Sequence, residues 1–303
     1  MPTDLQIAVN ALTWKKAHYD MLYAYFSGNQ PLVYSSSKLK EVFHGLDARF
    51  IVNVCAVVVN GTLDRLALRA LQVSANEQAD DLLQAVREAS GLVDDEYSIH
   101  EDVCITGEGF VLAWRDDQTG AIEAFRNDPR LCHAEYDGAN PRILRFAAKW
   151  WDAGGAIRLN LYYPDRTEYY ATNRDFQAGE TPTDKAFAPW GDDPVAVNEW
   201  GVIPVFHFRA NRTRPKSLLD DALPIQDMVN KLWADCMLTS EFMAFPQRWV
   251  ISESGIANLQ NNPNAIWDLV AAGKDAQATS AGQFPAADLS NYLQVIDNLL
   301  TKL

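Results

Sequence analysis

The chain has 303 residues, 48% of them hydrophobic and 11% aromatic, with nine Trp. That length and composition exclude a disordered tail and allow two domains, or one domain with extensions, around a substantial core. With 26 basic against 40 acidic residues the net charge is -14, which argues against gripping nucleic acid by neutralising phosphates but not against a protein that a duplex only passes.

Residues 5–26 carry Leu5, Ile7, Ala8, Leu12, Lys15, Tyr19, Leu22 and Phe26 at helical spacing, and Ser27-Gly28 ends the helix. Beyond Pro31, Ser36 or Ser37 offers a cap for a further helix. The valines of 52–59 suit a strand, while Phe50, Asn53, Val54, Val57 and Val58 also make a buried helical face; helix is the reading adopted. Asn60-Gly61 then reads as a turn and residues 63–73 as a strand. Helices are expected over 80–89 and around 97–107, the second following the run Asp94-Asp95-Glu96. Consecutive carboxylates point in different directions, so that run reads as negative charge at a helix N-terminus and not as a cation site.

From Gly109 to Tyr170 the texture becomes β, with a hairpin around 117–120 and turns at Gly138, Gly154-Gly155 and Pro164. Residues 171–200 read as a polar, Pro-punctuated loop, and 199–212 as a short strand entering the longest helix. Ser217 is a fitting N-cap for that helix, with Asp220 three residues on, and Pro224 is tolerated only in the first turn. Ile225, Met228, Val229, Leu232, Cys236, Thr239 and Met243 then form its apolar face until Pro246 stops it. Roughly 20 to 28 residues at about 1.5 Å each give about 30 to 42 Å. Short strand and turn residues come next, and a last helix capped by Asp288 has Leu289, Tyr292, Leu293, Ile296 and Leu300 on its face. It carries no stop signal at Leu303, which implies a longer chain.

His18, His44, His100, His133 and His207 stand in no triad, zinc or phosphate-loop spacing. His207, between Phe206 and Phe208, reads as a packed or solvent-face residue, and Cys132 and His133 fall on opposite faces of a strand. Gly107-Glu108-Gly109 lacks the third glycine of a dinucleotide site and reads as a hinge into the hairpin. The scattered Cys55, Cys104, Cys132 and Cys236 read as buried free thiols of a reducing compartment. With no leader pattern and no run of about 18 apolar residues, a soluble protein, intracellular at synthesis, is expected. No cofactor or metal is expected. An enzyme reading, an intracellular α+β hydrolase with an unrecognised site, rests on scattered polar residues alone.

The order of segments resembles that of tailed-bacteriophage portal proteins related to the SPP1 portal. Tyr25, Gly28, Gln30 and Leu32 match an early Y-x-x-G-x-Q-x-L pattern, and Asn53 to Asn60 with Arg65-Leu66 match the helix and short strand after it. Residues 106–112 resemble the passage into a β-rich wing, and Gly201-Val202-Ile203-Pro204-Val205 its later strand. The nearest match is Ser217 to Val250, above all Leu223-Pro224-Ile225-Gln226-Asp227 and residues 245–250.

The resemblance implies an α+β subunit with a mixed α/β wing (1–216), a first stem helix (217–245), a small α/β clip (246–285) and the start of a returning stem helix (286–303). It implies a homo-oligomeric ring, typically of twelve, at a capsid vertex of the virion. Double-stranded DNA passes through the ring during packaging and ejection, without sequence-specific binding. Its partners would be the terminase large subunit, a head–tail adaptor protein, and the major capsid and scaffolding proteins. Residues 217–303 hold ten acidic and four basic residues, a net -6. Asp227, Asp235 and Glu241 are therefore the expected tunnel-facing carboxylates, which repel phosphate, and Arg248, Trp249 and Trp267 the expected docking residues of the clip. A scaffold that binds partners without closing a ring is the third reading.

Overall fold

Thr3 starts the first helix by a reciprocal pair of bonds: its hydroxyl accepts from the Gln6 amide at 3.2 Å, and the Gln6 side chain accepts from the Thr3 amide at 3.0 Å. The computed structural model describes residues 2–31, 51–69, 72, 77–116, 118–176, 180–211, 215–244, 248–251, 280–283 and 288–302. Helix α1, Asp4–Phe26, closes at Ser27 with Gly28 at φ 69. Its buried stripe is Ala8, Leu12, Lys15, Tyr19 and Leu22, the alternating steps of four and three that keep one face inward. Ala8, Val9 and Leu12 pack with Phe146, Trp150 and Leu159. Farther along, Tyr19, Leu22 and Tyr25 pack with Cys55, Val59, Ile105 and Leu219. Leu12 and Leu22 are fully buried, each contributing about 1.5–3 kcal/mol.

Helix α2, Val54–Leu63, is capped by the Asn53 side chain, which accepts from the Ala56 amide at 3.0 Å. It buries Cys55, Val59 and Leu63. That stripe carries the helix through Asn60-Gly61, where a turn was expected, and Gly61 has open space beside it. Residues 66–69 have no regular structure, so the strand expected over 63–73 is absent among the described residues. Helix α3 is Glu77–Ala89, and α4, Leu92–Thr106, begins early enough that Asp94 and Asp95 lie in its first turn instead of preceding it.

Two antiparallel sheets come next in the chain. Strand β1, Glu108–Arg115, pairs with β2, Ile122–Asn127, and also with β9, Val205–Arg209, giving the order β2-β1-β9. The second sheet holds β3 Cys132–Tyr136, β4 Leu144–Ala153, β5 Ala156–Tyr162, β6 Arg166–Thr172 and β7 Phe187–Pro189 in chain order, with β8 Val195–Val197 also on β6. Strands β7 and β8 lie where a loop was expected; at three residues each, bordered by Pro189 and Pro194, they are too short to show alternation. Phe110, Leu112, Cys132, Ala147, Tyr162 and Val205 form a core from strands of both sheets. The architecture is α+β.

The chain divides into two compact units, residues 1–30 with 53–223, and 31–52 with 224–303. The second unit contains α5, Leu223–Ala244, the pair β10 Arg248–Ile251 and β11 Ser280–Gln283, and α6, Ser290–Leu300. Ser217 does not cap α5. Its hydroxyl donates to the Ile105 carbonyl and accepts from the Leu219 amide at 2.9 Å, and residues 218–222 are turns, so the helix begins at Leu223. Its 22 residues run about 33 Å. The N-cap of α6 is Leu289, without a side-chain bond, and not the expected Asp288, which stands one residue earlier and accepts from the Ser290 amide at 2.9 Å. On α6, Ile296 is buried, but Leu293 and Leu300, assigned to the same inward face, are 45% and 37% exposed. The expected cap at Ser36 or Ser37 lies outside the described residues. All four cysteines are buried free thiols, and burial pushes the Cys132 thiol up to about 12.

Candidate functional site

Helix α5 buries Gln226, Val229, Asn230, Ala234 and Cys236. Two of these are amides. Gln226 donates to the Val52 carbonyl, and Asn230 accepts from the Val52 amide at 3.1 Å, so both satisfy the backbone of the same residue. Met228, expected on the inward face, is instead 43% exposed. Asp227 and Asp235 are half-buried and stand eight residues apart with Lys231 midway, one four-residue step from each. The Lys231 ammonium pairs with the Asp235 carboxylate. An internal cation thus partly offsets the acids expected to face the tunnel. The Glu241 side chain lies outside the described residues.

Of the residues expected to dock partners, Trp249 is half-buried in β10, opposite Gly282 of β11. A Cβ on Gly282 would lie 2.7 Å from the indole, so the glycine makes room for the ring. Arg248 sits opposite Gln283, its side chain outside the described part, and Trp267 lies wholly outside it.

The first unit holds a buried charged cluster that motif reading missed. Glu108, 1% exposed, opens β1 directly after Gly107, the left-handed residue that ends α4. The triplet read as a hinge is thus a tight helix-to-strand junction. One Glu108 oxygen receives the Lys15 ammonium and the Tyr19 hydroxyl, the latter at 2.7 Å; the other lies 2.9 Å from His207 Nε2. His207 Nδ1 is 3.0 Å from the Tyr136 hydroxyl, and its ring stacks on Phe110 at 4.6 Å. Burial pushes the Glu108 carboxyl up, but Lys15 and the His207 bond outweigh it and hold it down at about 2. Burial lowers His207 below the ordinary range. The neutral ring then donates from Nε2 to the carboxylate and accepts the Tyr136 proton at Nδ1. Close by, Arg126 forks onto the fully buried Asp102 with two 2.7 Å bonds, and Tyr23 donates to the same carboxylate at 2.5 Å.

These clusters brace elements against one another. Cavities of about 170, 310 and 560 Å³ occur in the first unit. None is lined by Lys15, Glu108 or His207. Cys132 is buried and His133 instead bonds Glu135 at 3.0 Å, in keeping with opposite strand faces. Among the described residues no group of His, Cys, Asp and Glu is arranged to hold a metal ion, and no helix is long and apolar enough to cross a membrane.

The buried histidines set a pH dependence. Burial lowers His133 as well as His207 from 6.5, so the unfolded chain takes up their protons first on acidification. Their stabilisation is complete above pH 6.5 and falls below it. Glu108 adds a second loss from 4.5 down to about 2, while Asp102 and Glu101, both raised by burial, run the other way. The urea midpoint of the first unit is expected to be lower at about pH 5.5 than at about pH 7.5. An equal or higher midpoint at the acid value contradicts this assignment of buried neutral imidazoles.

The fold is α+β, and the polar clusters described above join elements of the chain itself. Residues 8–303 match the family described as phage portal protein, SPP1 Gp6-like. The chain belongs to that family, a family of structural and not catalytic proteins. No curated protein matches it.

Proposed function

We propose that the chain is the repeating subunit of a closed ring, of about twelve copies, at the capsid vertex of a tailed phage, through which double-stranded DNA is packaged and ejected. The observation that carries this is the continuous family match over residues 8–303. In this reading residues 1–216 are the wing, 217–245 with α5 the first stem helix, 246–285 with β10 and β11 the clip, and 286–303 with α6 the start of the second stem helix. Arg248, Trp249 and Trp267 belong to the face that docks the terminase large subunit and then the head–tail adaptor. Capsid and scaffolding proteins contact the ring from outside.

The acidic excess of residues 217–303 supports passage without capture, because a channel that does not neutralise phosphates releases few counterions and holds the duplex weakly. Asp227, Lys231, Asp235 and Glu241 together carry -2 per subunit. Replacing the three acids by Asn, Asn and Gln leaves Lys231 alone and changes the sign of that face. Packaging is expected to slow by about tenfold at low salt and to recover as salt screens the new attraction. A packaging assay with purified motor measures this; an unchanged rate removes the tunnel role. Mass measurement of the purified assembly tests the ring itself.

A further inference from the structure

The sheet β2-β1-β9 has two edges, and they are treated differently. On β2, the amides of Ala124 and Arg126 are taken by Ser90 Oγ at 2.9 Å and the Asp95 carboxylate at 3.1 Å, which blocks that edge. On the other side, bonds from Ala113 to the Pro204 carbonyl and from Ala210 to the Gly107 carbonyl, both 2.9 Å, fix the ladder. Phe206 and Phe208 therefore bond toward β1, and the N–H and C=O groups of Val205, His207 and Arg209 turn outward. Among the described residues nothing pairs with them.

Side chains on this strand alternate as well. Phe206 and Phe208 are 52% and 47% exposed on one face, and Arg209 lies on the other, its guanidinium over the Tyr136 ring at 4.3 Å. Arg209, Arg212, Arg214 and Lys216 fall within eight residues, and no acidic residue occurs between Glu199 and Asp220, in a chain of net charge -14. We propose that the open edge of β9 takes an extended acidic segment of a partner protein by strand addition. Apolar side chains of that segment meet Phe206 and Phe208, and carboxylates at the alternate positions meet Arg209. A second copy of this chain is a poorer occupant: another β9 brings a second Arg209 and no carboxylate to pair with the first, and the β2 edge is blocked.

The test uses the full chain and fluorescent heptapeptides of alternating valine and glutamate, their valine–lysine counterparts, and a valine–glutamate peptide with a central proline, read by anisotropy. The valine–glutamate peptide is expected to bind at least about tenfold more tightly than the other two. The pair Phe206→Lys and Phe208→Lys, at exposed positions, is expected to weaken it by a similar factor. Arg209→Glu should reverse the preference between glutamate and lysine peptides, a result that loss of folding cannot produce. Absence of binding, equal binding of the acidic and basic peptides, or indifference to the Phe206 and Phe208 substitutions overturns the proposal. Concentration-dependent self-association that displaces the peptide overturns it in favour of a second copy.

Discussion

Glu108→Gln is expected to lower the stability of the first unit by about 3–5 kcal/mol, read as a fall in its urea midpoint at neutral pH. Lys15 is 7% exposed and lies between Leu12 and Tyr19 on the buried stripe of α1, its ammonium 5.1 Å from the Phe110 ring centre. Glutamine keeps the size of Glu108 but not its charge, so the ammonium is left desolvated and unpaired. Most of the loss comes from that orphaned cation and not from the attraction itself, because desolvating both ions offsets much of what their pairing returns. Lys15→Met combined with Glu108→Gln should therefore be less destabilising than Glu108→Gln alone, a coupling of about 1–3 kcal/mol in a double-mutant cycle. If the two losses simply add, Lys15 and Glu108 are not energetically paired.

Where burial followed one local period, the sequence showed the fold. The stripe of α1 and the β1–β2 hairpin around Gly120 at φ 70 are each decided by a few neighbouring residues. Readings failed where a distant partner decided the outcome. Asn60-Gly61 has the chemistry of a turn, but Leu63 extends the buried series of Cys55 and Val59 and keeps the helix going. Ser217 has the chemistry of a cap, but its hydroxyl is spent on Ile105, 112 residues earlier. The buried cluster had one visible trace: a lysine on an apolar helical stripe needs either a route to water or a carboxylate. That the carboxylate would be Glu108, 93 residues away, depends on pairing that no local period records. On α5, period and composition located the helix and its acids, yet only coordinates show Lys231 paired with Asp235.

Gly107→Ala should be more damaging than any other alanine substitution at a glycine of the first unit's helix ends, with a loss of about 3 kcal/mol or more. Gly107 sits at φ 86, where an L side chain alone costs about 1–2 kcal/mol. An added Cβ would also lie 2.5 Å from the Lys216 amide nitrogen and 2.6 Å from its carbonyl carbon. That backbone cannot yield cheaply. Ser217 and Leu218 donate to the Ile105 and Cys104 carbonyls at the end of α4, the second at 3.0 Å, and Ala210 donates to the Gly107 carbonyl at 2.9 Å. Pushing residue 216 away breaks bonds that satisfy the last carbonyls of the helix and loosens the segment leading into α5. Gly91 supplies the control: at φ 68 with nothing within 4 Å of its absent Cβ, Gly91→Ala meets the dihedral strain alone. Urea midpoints of the two variants separate strain from collision, and hydrogen exchange at the Leu218 amide should quicken only in Gly107→Ala. Equal losses in the two variants would mean that the Lys216 backbone gives way freely, and that the crossing of residues 216–218 over the end of α4 contributes little to holding the first unit together.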